Sequence, residues 1–234
     1  MQGPEGSHIG SLNEKALHAA LKTWYAKPGD EIEVKVDGYF IDIVRGDLLI
    51  EIQTGSFSSI KRKLTDLVTR HPVRLVYPIA RDKWIIKRAS DDLGRLSRRK
   101  SPKRGEVHHL FGQLVSFPDL VADPSFTLEV LLVQEEEIRR HEPGRAWRKR
   151  GWVTQERRLL EVVERRTFTT PQDLADLLPP ELPEQFTSLQ IARILHQRKR
   201  LATQTAYCLR EMGAIQPVGK RGNAILYERV LREA

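Results

Sequence analysis

The stretch that most constrains the fold is residues 39–55, in which two apolar runs flank a short turn. Gly and Asp tolerate the positive φ angles that tight hairpin turns need. Three polar residues interrupt the apolar runs: Asp42, Glu51 and Gln53. Because side chains alternate along a strand, a turn at Gly46 and Asp47 sets Asp42 directly opposite Glu51, and a turn one residue earlier sets them diagonally. Either register places both carboxylates on one face of the hairpin, whereas a one-residue slip separates them.

Two carboxylates that lie close together repel each other unless they share a proton or hold a divalent cation between them. The alternative is a pair of charged residues on the solvent side of a hairpin. The residues that flank Asp42 and Glu51 are too uniformly apolar for an exposed edge hairpin. Since buried charges are costly unless they are paired or bind a metal, the pattern favours a functional pair.

Asp42, followed after a short hairpin by Glu51, Ile52 and Gln53, resembles the core motif of the PD-(D/E)XK nucleases. This family includes restriction endonucleases, Holliday-junction resolvases and many repair nucleases. Its pattern is an Asp, then Glu-x-Lys on the next strand, often with an acidic residue on the preceding helix. Here Gln53 stands at the Lys position, and some active restriction endonucleases of the family also carry Glu-x-Gln. The resemblance covers roughly residues 10–90 and gains most of its weight from the order helix, hairpin, helix, strand.

The resemblance implies catalytic roles for five residues. Asp42 and Glu51 would hold Mg²⁺ or Mn²⁺, and Gln53 would orient the attacking water. Glu14 would ligate a second metal or orient the first; the alternative is a helix-start carboxylate favoured by the helix dipole. Lys61 would supply the positive charge that Gln53 lacks; the alternative for it is a solvated helix surface.

The order of the predicted elements indicates an α/β fold. A helix opens near Ser11, strands follow at 31–36, 39–44 and 47–53, and a helix at 58–70 leads to a strand at 73–79. This order predicts a mixed sheet with a right-handed helical crossover, the restriction-endonuclease-like core that the resemblance implies. We expect further strands at 83–87 and 126–133, and a first domain over residues 1–145.

Residues 89–106 are rich in Arg and Lys, with Ser, Pro and Gly between them. The composition predicts a mobile basic loop in which Arg98, Arg99 and Lys100 clamp a nucleic-acid backbone. The alternative is a solvated insertion. The acidic run at 135–137 is expected on a solvated face.

Beyond residue 152 the pattern becomes helical, with a first helix around Leu159, Leu160, Val162 and Val163. The order of the remaining segments, over roughly 153–231, resembles a winged helix-turn-helix, so we expect a second, mostly helical domain over 152–234. Such domains place their second helix in the major groove. The predicted DNA-contacting residues are Arg200, Thr203, Gln204 and Thr205 on that helix and Lys220 and Arg221 on the wing. The alternative is a winged helix used for protein contacts.

Composition narrows the partners. The chain of 234 residues carries a formal net charge of +8, and its pI near 9.7 suits a polyanion such as nucleic acid. Its single cysteine, Cys208, excludes an intramolecular disulfide and a multi-cysteine zinc site. No apolar run is long enough to span a bilayer and no signal-peptide pattern opens the chain, so we expect no membrane partner and a cytoplasmic location.

The sequence therefore predicts a two-domain, metal-dependent deoxyribonuclease whose partner is duplex DNA. A homodimer would suit double-strand cutting. One alternative is a catalytically inactive, nuclease-fold protein with a DNA-binding or regulatory role. Gln53 at the usual Lys position keeps this alternative open. Another is an RNA-acting nuclease, against which the absence of an aromatic stacking motif argues only weakly.

Overall fold

The computed structural model describes residues 9–88, 96–142, 144 and 150–230, and the side chains of 9–15, 88 and 96 lie outside this description. These residues form a mixed α/β fold with one large mixed sheet, several helices and a small C-terminal sheet. The strands are β1 (Glu31–Val36), β2 (Tyr39–Arg45), β3 (Leu48–Ile52), β4 (Val73–Arg88), β5 (Leu96–Lys100), β6 (Phe126–His141), β7 (Trp152–Phe168), β8 (Ile215–Arg221) and β9 (Ala224–Arg229). The α-helices are α1 (Ile9–Tyr25), α2 (Lys61–Leu67), α3 (Phe111–Leu114), α4 (Pro171–Ala175), α5 (Ser188–Ile194) and α6 (Lys199–Glu211).

The large sheet has the strand order β1-β2-β3-β4-β6-β7, and β5 pairs with β4. The first three strands form an antiparallel meander, β4 runs parallel to β3 after the α2 crossover, and β6 runs parallel to β4. In the β2–β3 hairpin Ile43 pairs with Ile50 and Arg45 with Leu48, which leaves a two-residue turn at Gly46 and Asp47. This is the first of the two predicted registers. Gly46 has a φ of 56°, a left-handed conformation that suits glycine.

Two hydrophobic clusters cover the two faces of the sheet. On one face, Leu17 and Leu21 of α1 pack among Ile43, Ile50 and Ile52. On the other, the buried side chains of α2 and of the 3₁₀ turn Phe57–Ser59 join a larger cluster. The C-terminal helices belong to that larger cluster as well, through residues such as Leu209. The β2–β3 hairpin is therefore held from both sides.

Residues 159–163 are not helical, so that part of the C-terminal prediction is wrong. They lie in β7, which pairs antiparallel with β6 from Trp152 to Phe168. The predicted domain boundary near 145–152 thus falls within the β6–β7 hairpin. Tertiary pairing along a long neighbouring strand decides the conformation here, because Leu and Val pairs suit a helix or a strand almost equally on a local scale.

The basic segment also differs from its prediction, because Leu96–Lys100 is strand β5 and pairs antiparallel with β4. The strands expected at 73–79 and 83–87 are one continuous strand, β4. The acidic run is not on a solvated face, since the Glu135 and Glu137 side chains are buried. Lys83 bridges the two glutamates, Arg157 pairs with Glu135, and Arg139 pairs with Glu137. This outer half of the long strands is held by ion pairs rather than by either hydrophobic cluster.

The C-terminal residues form three short helices and the β8–β9 hairpin. Thr170 caps α4 with Pro171 at its start, and Thr187 caps α5 in a capping box with Gln190. After α6, Gly213 adopts a φ of 73° and turns the chain into β8. None of the described helices is long and apolar enough to cross a membrane.

Candidate functional site

Asp42 and Glu51 lie where the β2–β3 ladder opens. The last paired residues are Ile43 and Ile50, and continuing this register by one residue sets Asp42 opposite Glu51. Beyond this point the Ile52 N–H donates to Asp42 Oδ2 at 2.8 Å, so the carboxylate replaces the carbonyl of a paired strand. Both side chains are largely buried, with 14% and 13% of their surface exposed.

His18 of α1 is a member of this site that the sequence analysis missed. Its Nε2 lies 3.0 Å from Asp42 Oδ2. The hydrogen bond to Asp42 raises the pKa of His18 against the effect of burial. Burial opposes ionisation of Asp42, but the bonds from His18 and Ile52 hold the pKa of that carboxyl below its usual range. The sequence signal that could have indicated His18 is its spacing, because His18 follows Glu14 by four residues and therefore lies on the same helix face.

The lysine that reaches the carboxylates is Lys63, not Lys61. Lys63 Nζ lies 2.6 Å from Glu51 Oε2 and also donates to the Phe40 carbonyl. Lys61 is exposed and lines a surface depression with Tyr39 and other residues of α2. Residues that are two positions apart on an α-helix differ by about 200° of rotation, so Lys61 and Lys63 point in nearly opposite directions.

Glu51 has the most perturbed acidity of the site. Burial and the nearby Asp42 charge raise its pKa to about 7, although Lys63 and His18 act in the opposite direction. Ionisation is therefore divided unequally: Asp42 is charged and Glu51 is poised to exchange a proton near neutral pH. A carboxyl group in this condition gains from any cation that approaches both side chains.

Gln53 lies two residues beyond Glu51, where its amide is held by the following loop. Its Nε2 donates to the Ser56 carbonyl at 2.7 Å and to Ser59 Oγ at 2.9 Å. Phe57, within this loop, is fully buried and stacks on Phe117 at 5.3 Å. Because both amide hydrogens are used, Oε1 is the atom of Gln53 that can orient a water.

Glu14 lies in α1, one turn before His18, and its side chain is outside the described residues. Among the side chains that are described, no group of three or more His, Cys, Asp or Glu residues has metal-binding geometry. Asp42 and Glu51 are thus the two carboxylates of the predicted metal set that the structure brings together.

The predicted basic clamp lies on β5, with all three side chains exposed. Arg98 pairs with Glu136 at 2.8 Å and lies over the Trp84 ring. Lys100 pairs with Asp82 at 2.9 Å. Arg99 is exposed between them. These three cations therefore lie on a strand and not in a loop, and two of them form ion pairs.

The predicted contacts on α6 divide by helical face. Arg200 and Thr203 are exposed near its N-terminal end, and Gln204 is half-buried beside Gly112. Thr205 is only 1% exposed and donates to the Leu201 carbonyl, so its predicted place on a binding surface is wrong. Tyr207, 39% exposed and four residues after Thr203, extends the exposed stripe instead.

Lys220 and Arg221 are exposed at the end of β8, directly before the turn at Gly222. Their positions at the tip of the β8–β9 hairpin agree with the placement that the sequence predicts for them. Whether they contact DNA stays a prediction.

Two comparisons with known proteins found a match for this chain. A protein of Treponema pallidum (strain Nichols), described as an uncharacterized protein, is 30% identical over 226 residues, which are 94% of this chain and 87% of that protein. No solved structure matches the chain. The family model described as "Domain of unknown function (DUF8091)" matches residues 15–169, a span that contains the C-terminal part of α1 with His18, then Asp42, Glu51 and Lys63, and the whole large sheet. The chain therefore belongs to the DUF8091 family.

Proposed function

We propose that this protein is a metal-dependent deoxyribonuclease of the PD-(D/E)XK type. The observation that carries the proposal is the buried Asp42–Glu51 pair at the opening between two strands, with Lys63 bonded to Glu51. The order helix, antiparallel meander, helix, parallel strand supports the restriction-endonuclease-like core that the motif suggests. Lys63, from the helix, compensates for Gln53 at the usual Lys position.

The two carboxylates suit a divalent cation. The hydrogen bonds of the described residues use Asp42 Oδ2 and Glu51 Oε2, so Oδ1 and Oε1 are available to a ligand. Mg²⁺ commonly binds through one or two carboxylates and keeps several waters, so this pair is a sufficient donor set. The raised pKa of Glu51 also fits, because a cation would relieve the repulsion that causes it. When bound, the metal would lower the pKa of a water and neutralise charge on the phosphate.

The remaining roles follow from the contacts of each side chain. Asp42, held by His18 and the Ile52 N–H, presents a fixed negative charge. The Lys63 ammonium beside Glu51 would stabilise negative charge that develops on the phosphate oxygens. Gln53, fixed by its loop, would accept a hydrogen bond from the attacking water through Oε1.

We propose that the C-terminal elements form a reduced winged helix-turn-helix that reads DNA. Along the chain the helices α4, α5 and α6 are followed by the β8–β9 hairpin, which is the order expected of such a unit. Phe186, just before α5, also forms an isolated bridge with Tyr227 of β9. In this unit α5 and α6 would be the two helices of the helix-turn-helix. The second of them, α6, exposes Arg200, Thr203 and Tyr207. We propose that this stripe and the hairpin tip contact duplex DNA.

A DNA-binding protein without cleavage activity is the second candidate. Gln53 favours it, since a neutral amide cannot replace a cation and its two donors are held by Ser56 and Ser59. This candidate predicts salt-sensitive DNA binding that persists without metal.

The deciding experiment is cleavage of plasmid and oligonucleotide DNA by the wild-type protein with Mg²⁺, with Mn²⁺ and with EDTA. The nuclease proposal expects cutting with either metal and none with EDTA. DNA binding without cutting under all three conditions would replace it with the second candidate. Parallel reactions with RNA test the remaining alternative.

The acidity of Glu51 gives an independent prediction about stability. Its pKa is higher in the folded protein than in the unfolded chain, so its contribution to stability is fully present below about pH 4.5 and is lost as the pH rises through about 7. We expect Glu51→Gln to be more stable than the metal-free wild type above pH 7, and this advantage to shrink on acidification. Denaturant unfolding across this range measures it.

The control for this measurement is Glu181→Gln, which removes an exposed carboxylate from a loop. It should change stability equally little at every pH. Mg²⁺ should stabilise the wild type more at about pH 8 than at about pH 5, because protons compete with the metal for Glu51. A Glu51→Gln profile parallel to that of the wild type would contradict the assigned acidity.

A further inference from the structure

A polar cavity lies at the end of β3, in the outer half of the large sheet. Its volume is about 430 Å³, within the range of ligand-binding pockets. It is lined by the long strands β4, β6 and β7, by the segment after β5 and by Thr54. Thr54 directly follows Gln53, so the cavity adjoins the loop that leaves the carboxylate site.

The cavity carries an excess of positive charge. Five cationic side chains line it: Lys83, Lys103, Arg104, Arg139 and Arg157. Glu137 lines it too, and two further acids that do not line it, Glu135 and Asp82, pair with lining cations. Five positive charges against three negative leaves a net excess of two. A site with this balance attracts an anion instead of a neutral ligand.

Its cations are positioned before any ligand arrives. Glu135 is fully buried and receives both Lys83 and Arg157, the latter through two guanidinium nitrogens. Glu137 receives Arg139 at 2.8 Å. Lys103 differs, because it is exposed and has no ion pair within the described part of the chain. The buried glutamates fix three cations at the base, while Lys103 and Arg104 stand at the rim.

We propose that this cavity binds a backbone phosphate of the DNA strand one or two nucleotides away from the bond that is cut. Thr54 is three positions after Glu51 in the sequence, so the two residues lie at most about 10 Å apart along the chain. That length matches one to two nucleotide steps along a strand. Thr54 and Ser101 also line the cavity, and side chains of this type donate hydrogen bonds to phosphate oxygens. The location relative to the cut rests on the proposed nuclease function, whereas phosphate binding does not.

The test is the salt dependence of DNA binding in EDTA, measured by fluorescence anisotropy with one labelled duplex. The double variant Lys103→Glu, Arg104→Glu reverses the rim charges. The control, Lys27→Glu with Lys35→Glu, makes the same change in net charge at two exposed lysines outside the cavity. Each lost phosphate contact lowers the slope of log K against log salt by about 1.

We expect the rim variant to lose about 1 to 2 units of slope relative to the control. An equal slope for the two variants would overturn the proposal, even if the wild type cuts DNA. A lower slope with a wild type that cuts nothing would support phosphate binding and reject the nuclease function. If inorganic phosphate stabilises the wild type but not the rim variant against heat while the slopes are equal, the cavity is a site for free phosphate and the DNA proposal fails.

If the wild type cuts DNA, the position of the bound phosphate relative to the cut can be found by replacing single phosphates of the duplex with neutral methylphosphonates. Substitution one or two nucleotides from the cut should slow cleavage by the wild type and have a smaller effect on the rim variant. Sensitivity at other positions alone would contradict the assigned distance.

Discussion

Lys63→Ala is expected to lower the rate of Mg²⁺-dependent cleavage by about 10²- to 10³-fold, the usual loss when a group that stabilises transition-state charge is removed. Lys63 contacts Glu51 at 2.6 Å and is the cation nearest the carboxylates in the part of the chain that the structure describes. Glu51→Ala should abolish the reaction, because it removes one of the two carboxylates that we propose hold the metal. Single-turnover cleavage of a labelled oligonucleotide measures both.

Lys61→Ala is the matched control, since it removes an identical side chain from the same short helix. Its exposed ammonium does not reach the carboxylates, so we expect the cleavage rate to stay close to that of the wild type. Equal losses for the two lysine variants would mean that α2 contributes only a general electrostatic attraction for DNA. Lys63→Arg keeps the charge and should retain more activity than Lys63→Ala.

Phe57→Ala should destabilise the protein by about 3 to 5 kcal/mol, the cost typical of removing a fully buried phenyl ring. Phe57 is fully buried, stacks on Phe117 and meets the Tyr77 ring edge-on at 4.9 Å. It also anchors the turn whose Ser56 carbonyl and Ser59 hydroxyl hold Gln53. Denaturant unfolding gives the free energy of unfolding.

Phe40→Ala offers the comparison, because the Phe40 side chain is 71% exposed although the residue lies in β2 beside the site. Exposed substitutions of this kind usually change stability by less than about 0.5 kcal/mol. A loss for Phe40→Ala as large as that for Phe57→Ala would show that the packing around the hairpin differs from the one described. Phe57→Leu should fall between the two.

The central hairpin and its paired carboxylates could be predicted because they depend on two local rules. Alternation places Asp42 and Glu51 on one face, and the Gly46–Asp47 turn fixes their register. The choice between Lys61 and Lys63 could not be made, since it depends on how α2 is rotated against the sheet. His18 was missed for a similar reason: its contact with Asp42 joins residues 24 apart along the chain.

The conformation of residues 152–168 could not be predicted from local sequence patterns. Their apolar pairs fit helical spacing, and only the presence of β6 as a long partner makes the strand favourable. Thr205 illustrates a smaller limit. It lies next to exposed positions in sequence, but one residue of helix is a rotation of about 100°, which turns its side chain into the core.

The long strands β4, β6 and β7 cross two environments. Near Val76, Leu131 and Val133 they are held by apolar burial, and near Lys83, Glu135 and Arg157 by ion pairs. Salts that are excluded from protein surfaces strengthen apolar burial, whereas any dissolved ion weakens partly exposed ion pairs. We therefore expect concentrated sulfate to strengthen the apolar end of the sheet and to weaken, at the other end, the exposed ion pairs of Lys100 and Arg104 with Asp82, next to the cavity that we propose binds phosphate.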